Sequence, residues 1–275
     1  MEERLVLQAD RQESLEQHLK RIPGLSRRQI SRLKFLAGGL RVNGSSVRAT
    51  HPLQPGDQIS LYLHETACRQ PVPYAILYED QLLLVVDKPA GLVVHPSPGH
   101  ETDSMQTVLE TALSHPLYLK GRLDKDTSGV LVFGKADWVP SVTRTDKLYL
   151  ALCRGNPGSC TIDQPLALQD RKMVPAPEGF SARTHVRPIR SVPEGTMISV
   201  RIEHGRMHQI RAHLASIGHP LLQDPLYGEP GSQGRAMLHC VTCRLVHPLT
   251  KQTLVISSRL PEDFLQATGV SLPVT

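Results

Sequence analysis

The sequence predicts an α+β protein: a mixed, mainly antiparallel sheet with a few flanking helices, preceded by a smaller α/β unit of two helices and a hairpin. Three observations carry this. Short aliphatic and β-branched runs outnumber helical stripes, no regular strand-helix-strand alternation appears, and a Pro-containing stretch around Pro71 and Pro73 divides a cation-rich beginning from the rest. The expected boundaries are 1–63 for the small unit, 64–75 for a linker and 76–275 for the larger domain.

In the small unit, residues 13–20 place Leu15 and Leu19 on one helical face behind a Ser14 cap, and Pro23-Gly24 stops the helix. Ser26 then caps a second helix over 27–36, with Ile30, Leu33 and Leu36 inward and Arg27, Arg28, Arg32 and Lys34 on the wet side. Leu40 to Val42, carrying Arg41, alternates into an Asn43-Gly44 turn, and Pro55-Gly56-Asp57 precedes a strand over 58–63. Residues 1–70 hold 11 Lys and Arg against 7 Asp and Glu, and eight cations with no acid lie from Lys20 to Arg48. A basic surface confined to one small unit is the electrostatic footprint of a polyanion partner.

With 275 residues, 40% of them hydrophobic and only 4% aromatic, the chain can bury a sizeable aliphatic core. Its five cysteines form no secreted-type framework, which predicts reduced thiols in a cytoplasmic protein. No apolar run approaches a membrane span of about 18 residues, and the Met1-Glu2-Glu3-Arg4 start is not signal-like.

The larger domain opens with strands at 76–78 and 82–86, a turn over Asp87 to Gly91, and a short strand at 92–95. A stripe of Met105, Val108, Leu109, Ala112 and Leu113 marks a helix over 103–114. Strands follow at 129–134 and 147–153, then short strands and long connections through 155–195, including a short strand over 181–186. Strands at 197–202, 238–246 and 253–256 and a helix over 207–217 complete the reading.

The stretch Gly121-Arg122-Leu123-Asp124-Lys125-Asp126-Thr127-Ser128-Gly129 sets two carboxylates and two cations at a turn leading into the apolar strand 130–133. Each Asp is either a turn cap or a chemical group. In the helix after Gly205, Met207, Ile210, Leu214 and Ile217 form the buried stripe and Arg211 starts at its edge, where a charge needs a partner; Asp124 is a candidate. Other chemistries find less support. Cys240 and Cys243 would point to opposite faces of an alternating strand, which disfavours a zinc knuckle, and no glycine-rich nucleotide loop or nucleophile elbow is present.

The small unit resembles the S4 RNA-binding domain over about residues 12–63, through its Ser-Arg helix, Arg41-Val42-Asn43-Gly44 and Pro55-Gly56-Asp57. The larger domain resembles the RluA-type pseudouridine synthases. The likeness lies in Val86 to Pro96, Arg122 to Gly129, Lys147 to Leu152 and Gly205 to Leu214, continued by His219 to Asp224, Tyr227-Gly228, Leu238-His239-Cys240 and His247-Pro248, in the family's order. That resemblance implies isomerisation of uridine in structured RNA, ribosomal RNA foremost, with no cofactor and no metal. It makes Asp124 the nucleophile, attacking C6 of the base or C1' of the ribose, Tyr149 the stacking partner, and Arg211 the counterion. Arg122 would enter the RNA stack; Lys88, His95, Arg206, His208 and Gln209 would contact RNA or support the site, and Arg27, Arg28, Arg32, Lys34, Arg41 and Asn43 would contact RNA from the small unit. Asp126 would be a turn residue. No membrane and no obligate protein partner is implied. Two departures stand out: Gly121 replaces the family's usual His, and 136–146 is shorter than the family's helical segment, with Pro140 interrupting any helix. The alternatives are a noncatalytic RNA-binding protein on the same fold, or a synthase acting on transfer RNA.

Overall fold

A computed structural model describes residues 2–65 and 73–269; the side chain of Arg28, and 66–72 of the expected linker, lie outside the described residues. The N-terminal part contains β1 (Glu2–Gln8), β2 (Glu13–Ser14), α1 (Leu15–Arg21), α2 (Arg27–Phe35), β3 (Leu40–Val42), β4 (Ser45–Ser46), β5 (Pro52–Leu53) and β6 (Gln58–Glu65). Ser14 and Ser26 each accept from the backbone N–H three residues on, while Gln17 and Gln29 reach back to the cap, so both helices begin in a full capping box. Four strands pair in the order β1-β6-β3-β4. β1 is a strand the sequence reading missed: its charged start, Glu2-Glu3-Arg4, hides the short inward register of Leu5 and Leu7.

The remainder holds β7 (Ile76–Glu79), β8 (Leu83–Lys88), α3 (Met105–Leu113), β9 (Tyr118–Lys120), β10 (Ser128–Gly134), α4 (Val139–Val142), β11 (Arg144–Arg154), β12 (Cys160–Asp163), β13 (Leu166–Gln169) and β14 (Lys172–Pro175). It continues with β15 (Arg183–Val192), β16 (Gly195–Ile202), α5 (Gln209–Ser216), β17 (Leu238–Val246), β18 (Thr253–Ser257) and α6 (Glu262–Ala267). Ten strands make one sheet in the order β12-β15-β16-β11-β17-β10-β8-β7, with β18 beside β17 and β9 beside β10. The α+β, mainly antiparallel expectation therefore holds. The sheet is two antiparallel halves joined by one short parallel seam, Ser128 to His239 and Gly129 to Cys240. At the seam Gly129 has φ of 109°, and a Cβ there would lie 2.2 Å from the Cys240 carbonyl oxygen. Only glycine allows this approach.

Three local expectations are corrected. Residues 92–95 form no strand, because the carbonyls of Val93 and Val94 accept the first amides of α3, from Met105 and Gln106, at 2.8 and 3.0 Å. Pro140 does not abolish helix in 136–146; it occupies the first turn of α4, where its missing N–H costs nothing. Cys240 and Cys243 do not face apart, because the β11–β17 register steps from Leu148↔Thr242 to Tyr149↔Cys240, bulging Val241 and turning both thiols to one buried side.

The buried residues of the N-terminal part, including Leu5, Leu19, Ile30 and Leu61, join those of the large sheet in one contiguous cluster. No described helix is long and apolar enough to cross a membrane.

Candidate active site

The floor of the site is the turn between β9 and β10. Thr127 donates its N–H to the Asp124 carbonyl at 3.1 Å, Leu123 is buried, and Asp124 is left half-buried with its carboxylate side on a cleft of about 460 Å³. Arg122, Thr145, Lys147, Tyr149, His204 and Arg206 share that cleft.

The turn is held from below. Lys88 is completely buried and donates to the carbonyls of Pro89, Lys125 and Thr127 at 3.0, 2.8 and 2.9 Å. Its burial pulls the ammonium down to about 7, opposed by the charges of Asp126 and Asp124. Of the two roles the sequence reading gave Lys88, RNA contact or support of the site, the structure favours support: all three ammonium protons are committed to backbone. Arg235, which the sequence reading missed, donates to the carbonyls of Asp126 and Leu238, each at 3.2 Å, and pairs with Asp263. Behind Ser128 runs a buried polar chain: Ser128 Oγ to His239 Nδ1 at 2.9 Å, His239 Nε2 to Ser258 Oγ at 3.2 Å, and Ser258 Oγ donating to Asp87 at 2.8 Å.

Tyr149 projects from β11 into the cleft with 4% exposure. Desolvation, then the neighbouring Cys240 thiol and Asp124 carboxylate, hold its hydroxyl well above the usual range. It stays protonated, so its ring face is what it offers a base. Thr145 and Lys147 alternate with Tyr149 on the same strand face; that period of two was legible in the sequence and went unused.

Arg211 does not pair with Asp124. Its Nε and Nη2 donate to the two oxygens of Asp224, each at 2.7 Å, and the guanidinium lies 5.2 Å from the Tyr227 ring centre. The predicted amphipathic stripe failed to place it because Gln209 through Leu214 are all buried, so α5 has no wet edge there. Asp224 also accepts the amides of Leu226 and Tyr227 at 2.9 and 3.0 Å. A fork of this kind satisfies both partners, and the Asp124 charge acts on Arg211 only at longer range.

His208 begins α5 with φ of 50° and meets the Tyr227 hydroxyl at 3.2 Å; burial lowers its pKa and Asp124 opposes the shift. Gln209 is buried and donates to the Arg183 carbonyl at 2.9 Å while accepting the Arg206 amide at 3.1 Å, so it builds the cleft wall rather than offering a free amide to RNA. Arg206 is exposed, donates to the Ser181 carbonyl at 3.1 Å and covers Phe180. His95 is exposed and hydrogen-bonded to Gln106 at 2.8 Å.

On the N-terminal part, Arg27 and Arg32 are exposed, Arg41 is half-buried, and Lys34 pairs with Glu16 at 3.0 Å. Asn43 is a correction: its amide donates to Asp57 at 2.8 Å and its oxygen accepts the Gln58 amide at 2.9 Å, so it builds the hairpin. Among the described residues the single cluster with metal-ligand geometry is Asp10, Glu13 and His18, and Arg21 already pairs with both of its carboxylates.

The fold sets Arg122, Asp124 and Tyr149 on one cleft, and comparison with known proteins gives the family. Residues 82–216 match the RNA pseudouridylate synthase family. The chain is 35% identical over 260 residues to the uncharacterized RNA pseudouridine synthase YlyB of Bacillus subtilis, covering 83% of this chain and 84% of that protein. It is 34% identical to ribosomal large subunit pseudouridine synthase D of Pseudomonas aeruginosa, covering 83% and 82%. The solved structure of human RNA pseudouridylate synthase domain containing 4 shares the fold, with a TM-score of 0.57 at 22% identity over 72% of this chain and 94% of that one.

The chain belongs to the RNA pseudouridine synthase family, enzymes that isomerise uridine in RNA to pseudouridine.

Proposed function

We propose that this synthase acts on structured ribosomal RNA of the large subunit, in the cytoplasm, with Asp124 as its nucleophile. The observation that carries the assignment is the convergence of Asp124, Arg122 and Tyr149 on one cleft. Relatives named for the large ribosomal subunit support the substrate class.

The reaction is a balanced isomerisation. Asp124 adds to C6 of uracil or to C1' of the ribose, the bond between N1 and C1' breaks, and the base turns. A bond between C5 and C1' then forms, the C5 proton leaves, N1 gains a proton and the carboxylate is released. Tyr149 supplies an apolar face for the turning base. Arg122, exposed at the cleft mouth, fills the place the target nucleotide leaves when it is drawn out of its stack. Arg211 serves through Asp224, fixing the wall that carries His208. The N-terminal part, with its capped basic helix, acts as an S4-like RNA-binding domain.

The test is pseudouridine formation on ribosomal and transfer RNA by the native protein and by Asp124→Asn. The variant should fold normally and form no product. Equal product from Asp124→Asn would overturn the nucleophile, conversion of transfer RNA alone would overturn the substrate, and no conversion by folded native protein would leave a noncatalytic RNA binder.

A further inference from the structure

Residues 136–142, the first part of the 136–146 segment, lie between the two parts of the molecule. Trp138 is 6% exposed. Gly24, in the stop after α1, packs so closely that a Cβ there would sit 2.6 Å from Val142 Cγ1 and 2.9 Å from Trp138 Cε3. Gln29 of α2 donates to Asp137, and the Val6 amide donates to Gln81 at 3.2 Å. On the other side, Lys120 of β9 donates to the Pro140 carbonyl at 2.7 Å. β9 runs directly into Gly121, Arg122 and Asp124. The segment therefore connects the basic helix to the strand that delivers the nucleophile.

Cations lie at both ends of this connection. Arg32 lies on the groove beside Trp138, and Lys147 Nζ is 3.8 Å from where a Cβ on Gly121 would be. Arg122 completes the row at the cleft. Beyond Arg32 stands Phe35, 89% exposed at the end of α2, an aromatic face open to a base.

We propose that Trp138 and its segment form a saddle that fixes the N-terminal part on the catalytic body. Phe35, Arg32, Lys147 and Arg122 thereby make one rigid track for the RNA flanking the target uridine, with Trp138 a positioning residue of substrate selection. The proposal rests on the RNA-modifying reading given above. Fixed spacing raises the effective concentration of the second contact once the first has formed, provided that the RNA has the matching shape.

Small-angle scattering and single-site kinetics on a ribosomal transcript test this in the full chain. Trp138→Ala should expand the free protein and raise KM on the order of tenfold, with kcat changed less than about twofold. Trp138→Phe should restore both readings. Gly24→Val attacks the saddle from the other side and leaves the catalytic body intact, so it should reproduce the effect if Trp138→Ala misfolds. Phe35→Ser should raise KM without expanding the protein. Variants that remain compact with native KM overturn the saddle, as does an expanded Gly24→Val protein with unchanged KM. If the native protein modifies no RNA, the reading above has failed; scattering still decides the joint, and RNA affinity measured with Gly24→Val decides the track.

Discussion

Between pH 6.5 and about 4, His239, which meets Ser128 behind the Asp124 turn, governs part of the protein's stability. Burial, reinforced by the Arg235 charge, pulls its pKa from 6.5 to about 4. As pH falls, the unfolded chain takes up this proton first, so the contribution is fully present above 6.5 and is lost progressively toward 4, a span of roughly 3 kcal/mol. His239→Gln should be less stable at neutral pH and should lose less on acidification, read from urea unfolding at stepped pH. His208 and His213 also have lowered pKa values, but they are common to both proteins and cancel in the comparison. The family resemblance named Asp124 and Tyr149, and both line one cleft; ordered motifs survive in one dimension, whereas the strand period of β11 went unread. The resemblance left Lys88 and Gln209 between RNA contact and support of the site, because the carbonyls that occupy their polar ends come from other elements. Asp224 lay within a recognised motif, yet only folding brings its carboxylate to Arg211.

At the level of elements, capping residues and turn chemistry were the most legible features, since Ser14 and Ser26 satisfy amides three residues away; Ser104 caps α3 in the same way, though only the apolar stripe marked that helix in the sequence. The bulge at Val241 was not legible, because one extra residue in β17 is set by its pairing with β11. Gly129 shows how tightly such pairing can constrain a position. Gly129→Ala should cost about 3 kcal/mol or more, or prevent soluble folding, because both its backbone angle and the Cys240 carbonyl oppose a side chain. An unchanged urea midpoint would contradict this close packing.

For the whole molecule, the formal charge of +5 understates attraction to RNA, since cations gather on α2 and around the cleft. RNA affinity should fall at least about tenfold between roughly 50 and 200 mM salt as counterion release loses its advantage, measured by fluorescence anisotropy. Flat salt dependence would contradict a phosphate-dominated interface. The α+β class and its mainly antiparallel sheet were legible from run lengths and from the missing helix alternation. How the small basic part meets the body was not, because Trp138 and Gly24 are more than a hundred residues apart and nothing local couples them.

The parallel seam also dictates when the enzyme can become active during its own assembly. Ser128 and His239 are separated by 111 residues, so their pairing closes a long loop that neither half of the sheet needs for its own hairpins. Regular structure can therefore form in both halves before the turn that carries Asp124 is anchored. After dilution from denaturant, recovery of product formation should lag recovery of the far-ultraviolet signal, and a chain stopped before β17 should carry Asp124 without a finished site.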